Sequence, residues 1–117
     1  MKVGGVYKFF STKTIPPKPK WHICICPKQR LFLLINSEPF FPRAEMQIKD
    51  SDWPDMKNEV SYISCSGLLD YTVREVSNAE EGGQISQLCK DKLHDFAEAS
   101  VSLSDQDIDE ICIAFQP

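Results

Sequence analysis

The segment from residue 18 to residue 37, KPKWHICICPKQRLFLLINS, constrains the fold more than any other part of the chain. In its first half, Trp21, Ile23 and Ile25 alternate with polar or thiol side chains, and this period of two predicts a β-strand. Residues 31–35 are continuously apolar and are bounded by turn-forming residues, as expected for a strand buried on both faces. The segment therefore predicts a core β-hairpin with polar side chains at its rim.

Charge is distributed unevenly along the chain. The length of 117 residues predicts a single domain over residues 1–117, and the net charge of −4 gives no overall affinity for nucleic acid or membranes. Nevertheless, the first 30 residues contain no acid and seven cations: Lys2, Lys8, Lys13, Lys18, Lys20, Lys28 and Arg30. Such a basic region either binds a polyanion locally or is a solvated face.

Cysteine usage and hydropathy point to one cellular compartment. No apolar run approaches the length that spans a bilayer, and the N-terminus lacks the pattern of a signal peptide, so we expect a cytoplasmic protein without a membrane partner. The five cysteines are scattered, which favours free thiols over a disulfide framework. Cys24 and Cys26 form the only close pair. Packing is the simpler interpretation of that pair, and a zinc or redox role is the alternative.

The remaining pattern predicts more strands and then helices. From residue 85 the apolar spacing becomes helical, with Ser86 as N-cap, and Ser104 is expected to cap a second helix that begins at Asp105. This order favours an α+β, mainly β fold, a small curved sheet or barrel of five to seven strands with two C-terminal helices. Further strands are expected at residues 3–10, 44–49 and 59–66, one strand or two short ones at 68–76, and a glycine-containing loop at 78–83.

Two proline-rich loops flank the hairpin. Residues 11–20 contain three prolines and three lysines, so they form a basic, semi-extended loop of a length that is often functional. Residues 38–43 carry Phe40 and Phe41, which are either a patch for a partner or plugs for an open end of the barrel.

Few side chains in this sequence can move protons near neutral pH. His22 is the more interesting of the two histidines, because it follows the basic loop directly. It is either an acid–base group or a polar strand residue with a hydrogen-bonded neighbour. Asn36 and Ser37 end the buried strand, where such groups either cap a loop or position a phosphate or a 2′-hydroxyl.

Three short motifs in this order are similar to those of the MazF/PemK-like toxins of bacterial toxin–antitoxin systems. They are Gly5-Val6-Tyr7 in the first strand, KWHICI at residues 20–25, and LLINS at residues 33–37. The resemblance covers nearly the whole chain in its order of elements. It implies an SH3-like barrel, a homodimer, an antitoxin protein as partner, and cleavage of single-stranded RNA without a metal or other cofactor.

The resemblance also assigns roles to residues. It places Lys20 where the family has its catalytic arginine and Asn36 where the family has a threonine or serine. The expected catalytic groups are Lys20, His22, Asn36 and Ser37, and the expected nucleic-acid-binding residues are Lys13, Lys18, Lys28 and Arg30. The alternative is a non-catalytic module of the same fold that binds a protein partner or nucleic acid through Phe40, Phe41 and the proline-rich loops. A lysine in place of the arginine favours this alternative, because lysine lacks the bidentate fork.

Overall fold

Six strands and three helices make up the described part of the chain. The computed structural model describes residues 1–39 and 44–116. The elements in chain order are β1 (Gly5–Ser11), β2 (Lys18–Cys26), β3 (Leu31–Asn36), β4 (Glu45–Ile48), β5 (Ser61–Asp70), α1 (Val73–Val76), β6 (Glu80–Gln84), α2 (Gln87–Glu98) and α3 (Asp105–Ala114).

All six strands belong to one antiparallel sheet. Their spatial order is β4-β5-β3-β2-β1-β6, so the predicted hairpin of β2 and β3 lies at the centre. The mainly β, α+β class, the number of strands and the two C-terminal helices are confirmed. Among the described residues the strand pairing does not close into a barrel, because β4 pairs only with β5, and β6 only with β1.

The larger core lies between one face of the sheet and the last two helices. The Ile23 and Ile25 side chains of β2 belong to this core together with Leu93 of α2 and Ile111 of α3. Ser86 and Ser104 cap these helices as expected, each accepting a hydrogen bond from a backbone N–H three residues on. None of the helices in residues 1–39 and 44–116 is long and apolar enough to cross a membrane.

A smaller aromatic core covers the opposite face of the sheet. Its buried members are Tyr7, Phe9, Cys24, Phe32 and Tyr71, and α1 packs beside it against β1. Both faces of the central hairpin are therefore covered over much of its length, which explains why the consecutive β2 residues 22–25 are all buried regardless of polarity.

Two predictions for residues 68–83 were wrong. The expected strand at 68–76 is divided: its first residues extend β5, and the next form α1. Thr72 and Glu75 form a capping box that starts this helix, because each side chain accepts from the other residue's backbone N–H. The expected loop at 78–83 contains β6, which pairs with the edge of β1.

The Trp53 side chain connects the segment after β4 to β6. Its Nε1 donates a hydrogen bond of 2.7 Å to the carbonyl oxygen of Gly82. The Trp21 ring packs against Gly82 so closely that a Cβ there would overlap the ring. The open sheet is thus curved enough that the Trp53 side chain, which follows edge strand β4, reaches Gly82 in the other edge strand, β6.

Candidate functional site

The pair formed by Lys20 and Asn36 lies at the open end of the central hairpin. The antiparallel register matches His22 with Leu34, which places Lys20 opposite Asn36 on the same face. The Lys20 Nζ donates a hydrogen bond of 2.8 Å to the Asn36 Oδ1, and Asn36 is only 6% exposed. The buried amide therefore fixes the position of a partly exposed ammonium group.

The electrostatic setting of Lys20 is unusual for a lysine at the end of a strand. Burial and, secondly, the positive charge of Lys18 lower the pKa of Lys20. An ammonium group in this setting holds its proton less tightly than a free lysine does. An anion bound between Lys18 and Lys20 would stabilise the protonated form of Lys20, because it neutralises the two neighbouring positive charges.

Two hollows meet at this pair. The first, of about 370 Å³, is called here the Trp hollow, and its lining includes Lys8, Trp21, Ser37, Trp53, Asp55 and Asn58. The second, of about 300 Å³, is called the loop hollow, and its lining includes Lys13, Thr14, Ile15, Ser64, Ser66 and Leu69. Lys18, Lys20 and Asn36 line both, so the two hollows are adjacent parts of one groove.

The wall of the loop hollow is held by local hydrogen bonds. The Thr14 hydroxyl donates to the carbonyl oxygens of Ser11 and Pro16, at 3.3 and 3.0 Å, and the Lys13 backbone N–H donates to the Ser11 hydroxyl. The Lys13 ammonium lies 3.6 Å from the Asp70 carboxylate, and both groups are substantially exposed. Because the pair is exposed, the ion pair leaves Lys13 available to an anionic ligand.

His22 lies inside the smaller core and has no exposed surface. Its ring stacks on Phe9 at a centroid distance of 4.0 Å, and its Nε2 lies 2.9 Å from the Tyr71 hydroxyl, which is itself 2.8 Å from the Ser11 hydroxyl. Burial lowers the pKa of His22 to about 4. The imidazole is therefore neutral near pH 7 and out of reach of a ligand in either hollow. Its contacts assign it to packing, in place of the expected acid–base role.

Lys28 and Arg30 lie at the other end of the hairpin, in the turn between β2 and β3. Arg30 has a φ of 54°. Its Nε donates a hydrogen bond of 2.8 Å to the carbonyl oxygen of Tyr71. Neither residue lines the Trp hollow or the loop hollow. The structure thus brings Lys13, Lys18, Lys20, Asn36 and Ser37 together around one groove and separates the two turn cations from them.

The cysteines are free thiols, and three of them are deeply buried. Burial raises the pKa of Cys24 to about 11 and those of Cys65 and Cys89 to about 12. Thiols of this kind are poor nucleophiles and poor ligands at neutral pH. Their position in the two cores agrees with the packing interpretation.

One group of side chains has the composition of a metal site. The potential ligand atoms of His94, Asp95 and Glu98 lie within 4.8 Å of one another near the end of α2. His94 Nδ1 is 3.2 Å from the Glu98 carboxylate, and both carboxylates are well exposed. The arrangement equally fits a histidine with two solvated acidic neighbours on one helix, and it lines neither the Trp hollow nor the loop hollow.

The groove includes residues that the sequence did not single out as functional. Trp21 served only to indicate strand periodicity, yet it lines the Trp hollow, and the segment after β4 supplies Asp55 and Asn58. Ser64 of β5 lines the loop hollow. The expected partner patch of Phe40 and Phe41 lies outside the described residues.

Comparisons with protein-family models, with curated proteins and with solved structures found no match for this chain.

Proposed function

We propose that the chain is a toxin-like endoribonuclease that binds single-stranded RNA along the groove and cleaves it without a metal ion. The observation that carries the proposal is the sharing of Lys18, Lys20 and Asn36 by both hollows. A nucleic-acid strand passing from one hollow to the other brings a phosphate past two ammonium groups. A single strand suits such a groove because its backbone is flexible and its bases are free to enter side pockets.

The chemistry assigned to the groove is attack by a ribose 2′-oxygen on the adjacent phosphorus. The 2′-hydroxyl proton passes to water, while the Lys20 ammonium, held in place by Asn36, donates a hydrogen bond to a phosphate oxygen. Lys18 remains positive beside the pentavalent phosphate and stabilises its charge. The bond to the 5′-oxygen then breaks, and that oxygen takes a proton from water. The products are a 2′,3′-cyclic phosphate and a 5′-hydroxyl end.

Asn36 and Ser37 have supporting parts in this scheme. Asn36 positions the Lys20 amine through the 2.8 Å hydrogen bond. Ser37 is exposed at the edge of the Trp hollow, where its hydroxyl can donate to a phosphate oxygen. Lys13 attracts the RNA backbone on the side of the loop hollow. Lys28 and Arg30 have no part in the proposed reaction.

The wider proposal follows the MazF/PemK-like resemblance. Its first statement is that the sheet is an SH3-like barrel in which the Trp53–Gly82 hydrogen bond links the two edges. The other three are that the protein works as a homodimer, that an antitoxin protein inhibits it, and that it acts in the cytoplasm. The family resemblance supports these four statements, and the curved six-stranded sheet with its helical cover supports the first.

Incubation of single-stranded RNA with the protein in the presence of a chelator tests the proposal. We expect cleavage with cyclic phosphate ends by the wild type, and a loss of about 100-fold or more in Lys20→Met. Lys28→Met is the matched control and should retain the wild-type rate. No cleavage by the wild type, or equal cleavage by Lys20→Met, would contradict the proposed reaction.

A second candidate function is RNA binding without cleavage. The burial of His22 supports it, because neither hollow then contains an imidazole among the described residues. In this case the wild type binds single-stranded RNA, Lys20→Met weakens that binding, and no cyclic phosphate ends accumulate. The same two variants therefore separate the two functions.

A further inference from the structure

The Trp hollow has an aromatic wall whose orientation is fixed. The Trp21 and Trp53 rings meet edge to face at a centroid distance of 5.5 Å. Gly82 leaves room for the Trp21 ring, and the Lys8 ammonium lies 5.6 Å from the centroid of that ring. Trp21 is only partly buried, so it presents indole surface to the hollow from a single defined direction.

Polar side chains also line the Trp hollow: Asp55 and Asn58 come from the segment that follows β4, and Ser61 is the first residue of β5. The Asp55 carboxylate lies so close to Gly83 that a Cβ there would overlap it. These groups combine an acceptor-only carboxylate with an amide that both donates and accepts.

The start of this segment is anchored by Asp52, which is 1% exposed. Its carboxylate accepts hydrogen bonds of 3.0 Å from the Lys49 backbone N–H and from the Lys92 ammonium of α2. The Trp53 hydrogen bond to Gly82 adds a third attachment. The segment that carries Asp55 therefore begins from a fixed point beside the Trp21 ring.

We propose that the Trp hollow binds a guanine base, stacked on Trp21 and hydrogen-bonded to Asp55, while Lys18 and Lys20 hold the phosphate of the same nucleotide. This inference rests on the proposed function and names a base-specific subsite for it. The volume of about 370 Å³ is in the range of pockets that take small ligands. The indole face of Trp21 can stack on the base of a nucleotide, and the two neighbouring ammonium groups can bind its phosphate.

The choice of guanine follows from hydrogen-bond chemistry at Asp55. A carboxylate only accepts, and guanine presents two adjacent donors, N1–H and the 2-amino group, along one edge. Adenine offers a single donor group on the corresponding edge beside an acceptor nitrogen, which would face the carboxylate unfavourably. A bidentate contact of this kind discriminates between bases by about tenfold or more.

Intrinsic fluorescence reports directly on this subsite. Trp21 and Trp53 are the only two tryptophans of the chain, and both line the Trp hollow. We expect saturable quenching by guanosine 3′-monophosphate, with an affinity about tenfold above that of adenosine 3′-monophosphate. Asp55→Asn should remove this preference, because the amide offers one acceptor in place of two. Asp50→Asn is the matched control, since Asp50 is exposed in the same segment and does not line the hollow.

The outcomes separate the subsite from the proposed function. Equal quenching by the two nucleotides, equal quenching by ribose 5-phosphate, or an unchanged preference in Asp55→Asn overturns the guanine subsite. If RNA is cleaved in chelator while no guanine preference is seen, the subsite fails and the proposed function stands. If guanine is preferred but RNA is neither bound nor cut, the subsite stands as a nucleotide pocket and the proposed function fails.

Discussion

The two ends of the central hairpin carry similar cations in different surroundings. At the open end, Lys18 and Lys20 border a groove, and within the described residues only Asn36 hydrogen-bonds to the Lys20 ammonium. At the turn, Arg30 uses its guanidinium to bind carbonyl oxygens of the chain itself. The Lys20 ammonium therefore borders a groove that a ligand can enter, whereas the Arg30 guanidinium binds carbonyl oxygens of the chain and lines neither hollow.

This contrast shows that residue type and proximity in sequence do not decide which cation is functional. Lys18, Lys28 and Arg30 were expected to bind nucleic acid, and Lys20 was expected to act in catalysis. Of these four hairpin cations Lys18 and Lys20 line the two hollows, and the internal hydrogen bonds of Arg30 explain its place in the turn.

The largest expected effect is an acid-induced loss of stability through His22, which lies between the two ends. Its pKa is about 4 in the folded protein and about 6.5 in the unfolded chain. The unfolded chain therefore binds the proton more readily between these values. The contribution of neutral His22 is complete above pH 6.5 and is lost as the pH falls to 4, by about 3 kcal/mol.

Urea unfolding at pH 7.5, 6, 5 and 4 measures this effect in the wild type and in His22→Leu, which should show a flatter dependence. NMR titration of the His22 ring gives an independent reading that does not depend on the variant folding. Protonation of that ring near pH 6.5 would contradict the assignment of His22 to the buried core.

The second prediction compares the stability of one variant at each end. Arg30→Met removes a partly buried hydrogen bond to the Tyr71 carbonyl, and we expect a loss of about 1–2 kcal/mol in the free energy of unfolding. Lys20→Met should change stability by less than about 0.5 kcal/mol, because water in the groove can replace the ammonium as partner of Asn36. Equal losses in urea unfolding would remove the distinction between the two ends.

The third prediction concerns the salt dependence of RNA binding. Each phosphate contact to a single strand contributes about 0.7 to the slope of log affinity against log salt concentration. Lys13→Met should lower that slope by about this amount and weaken binding several-fold at low salt. Lys28→Met should leave the slope unchanged. A titration in which both variants lower the slope equally would place the RNA at both ends of the hairpin.

The smallest expected effect is electrostatic and is confined to the open end. The charge of Lys18 is the second cause of the lowered pKa of Lys20, after burial. Lys18→Met should therefore raise the pKa of Lys20, as measured by NMR of the lysine side-chain amine. Arg30→Met should leave it unchanged. An unaltered Lys20 titration in Lys18→Met would mean that burial alone sets this pKa.

Local signals in the sequence predicted much of the fold. The hairpin, the short strand β4 and both C-terminal helices follow from periodicity and from the caps at Ser86 and Ser104. The helix α1 was also predictable, because Thr72 and Glu75 have the spacing of a capping box. It was missed because Val73 and Val76 favour a strand by propensity, and a local capping interaction outweighed that preference.

The remaining errors have long-range causes. The β6 residues Glu80–Gln84 include two glycines and almost no apolar side chains, so only pairing with β1 makes them a strand. His22 was placed at the surface because alternation in β2 suggested one polar face. The aromatic residues that cover that face come from distant segments, Phe9 and Tyr71 among them. Asp55 entered the groove for the same reason, through a turn whose position depends on α2.

The pairing of β1 with β6 has a consequence for biosynthesis. Of the described strands β1 is made first, and its outer neighbour β6 is made last, more than 70 residues later. Until residue 84 has emerged, the backbone N–H and C=O groups on one side of β1 have no strand partner. The lysine-rich segment that begins directly after β1 is made during the same interval. While the β1 edge is unpaired, it could pair with a strand of another chain. The positive charges of the adjacent segment repel other nascent chains and oppose such aggregation.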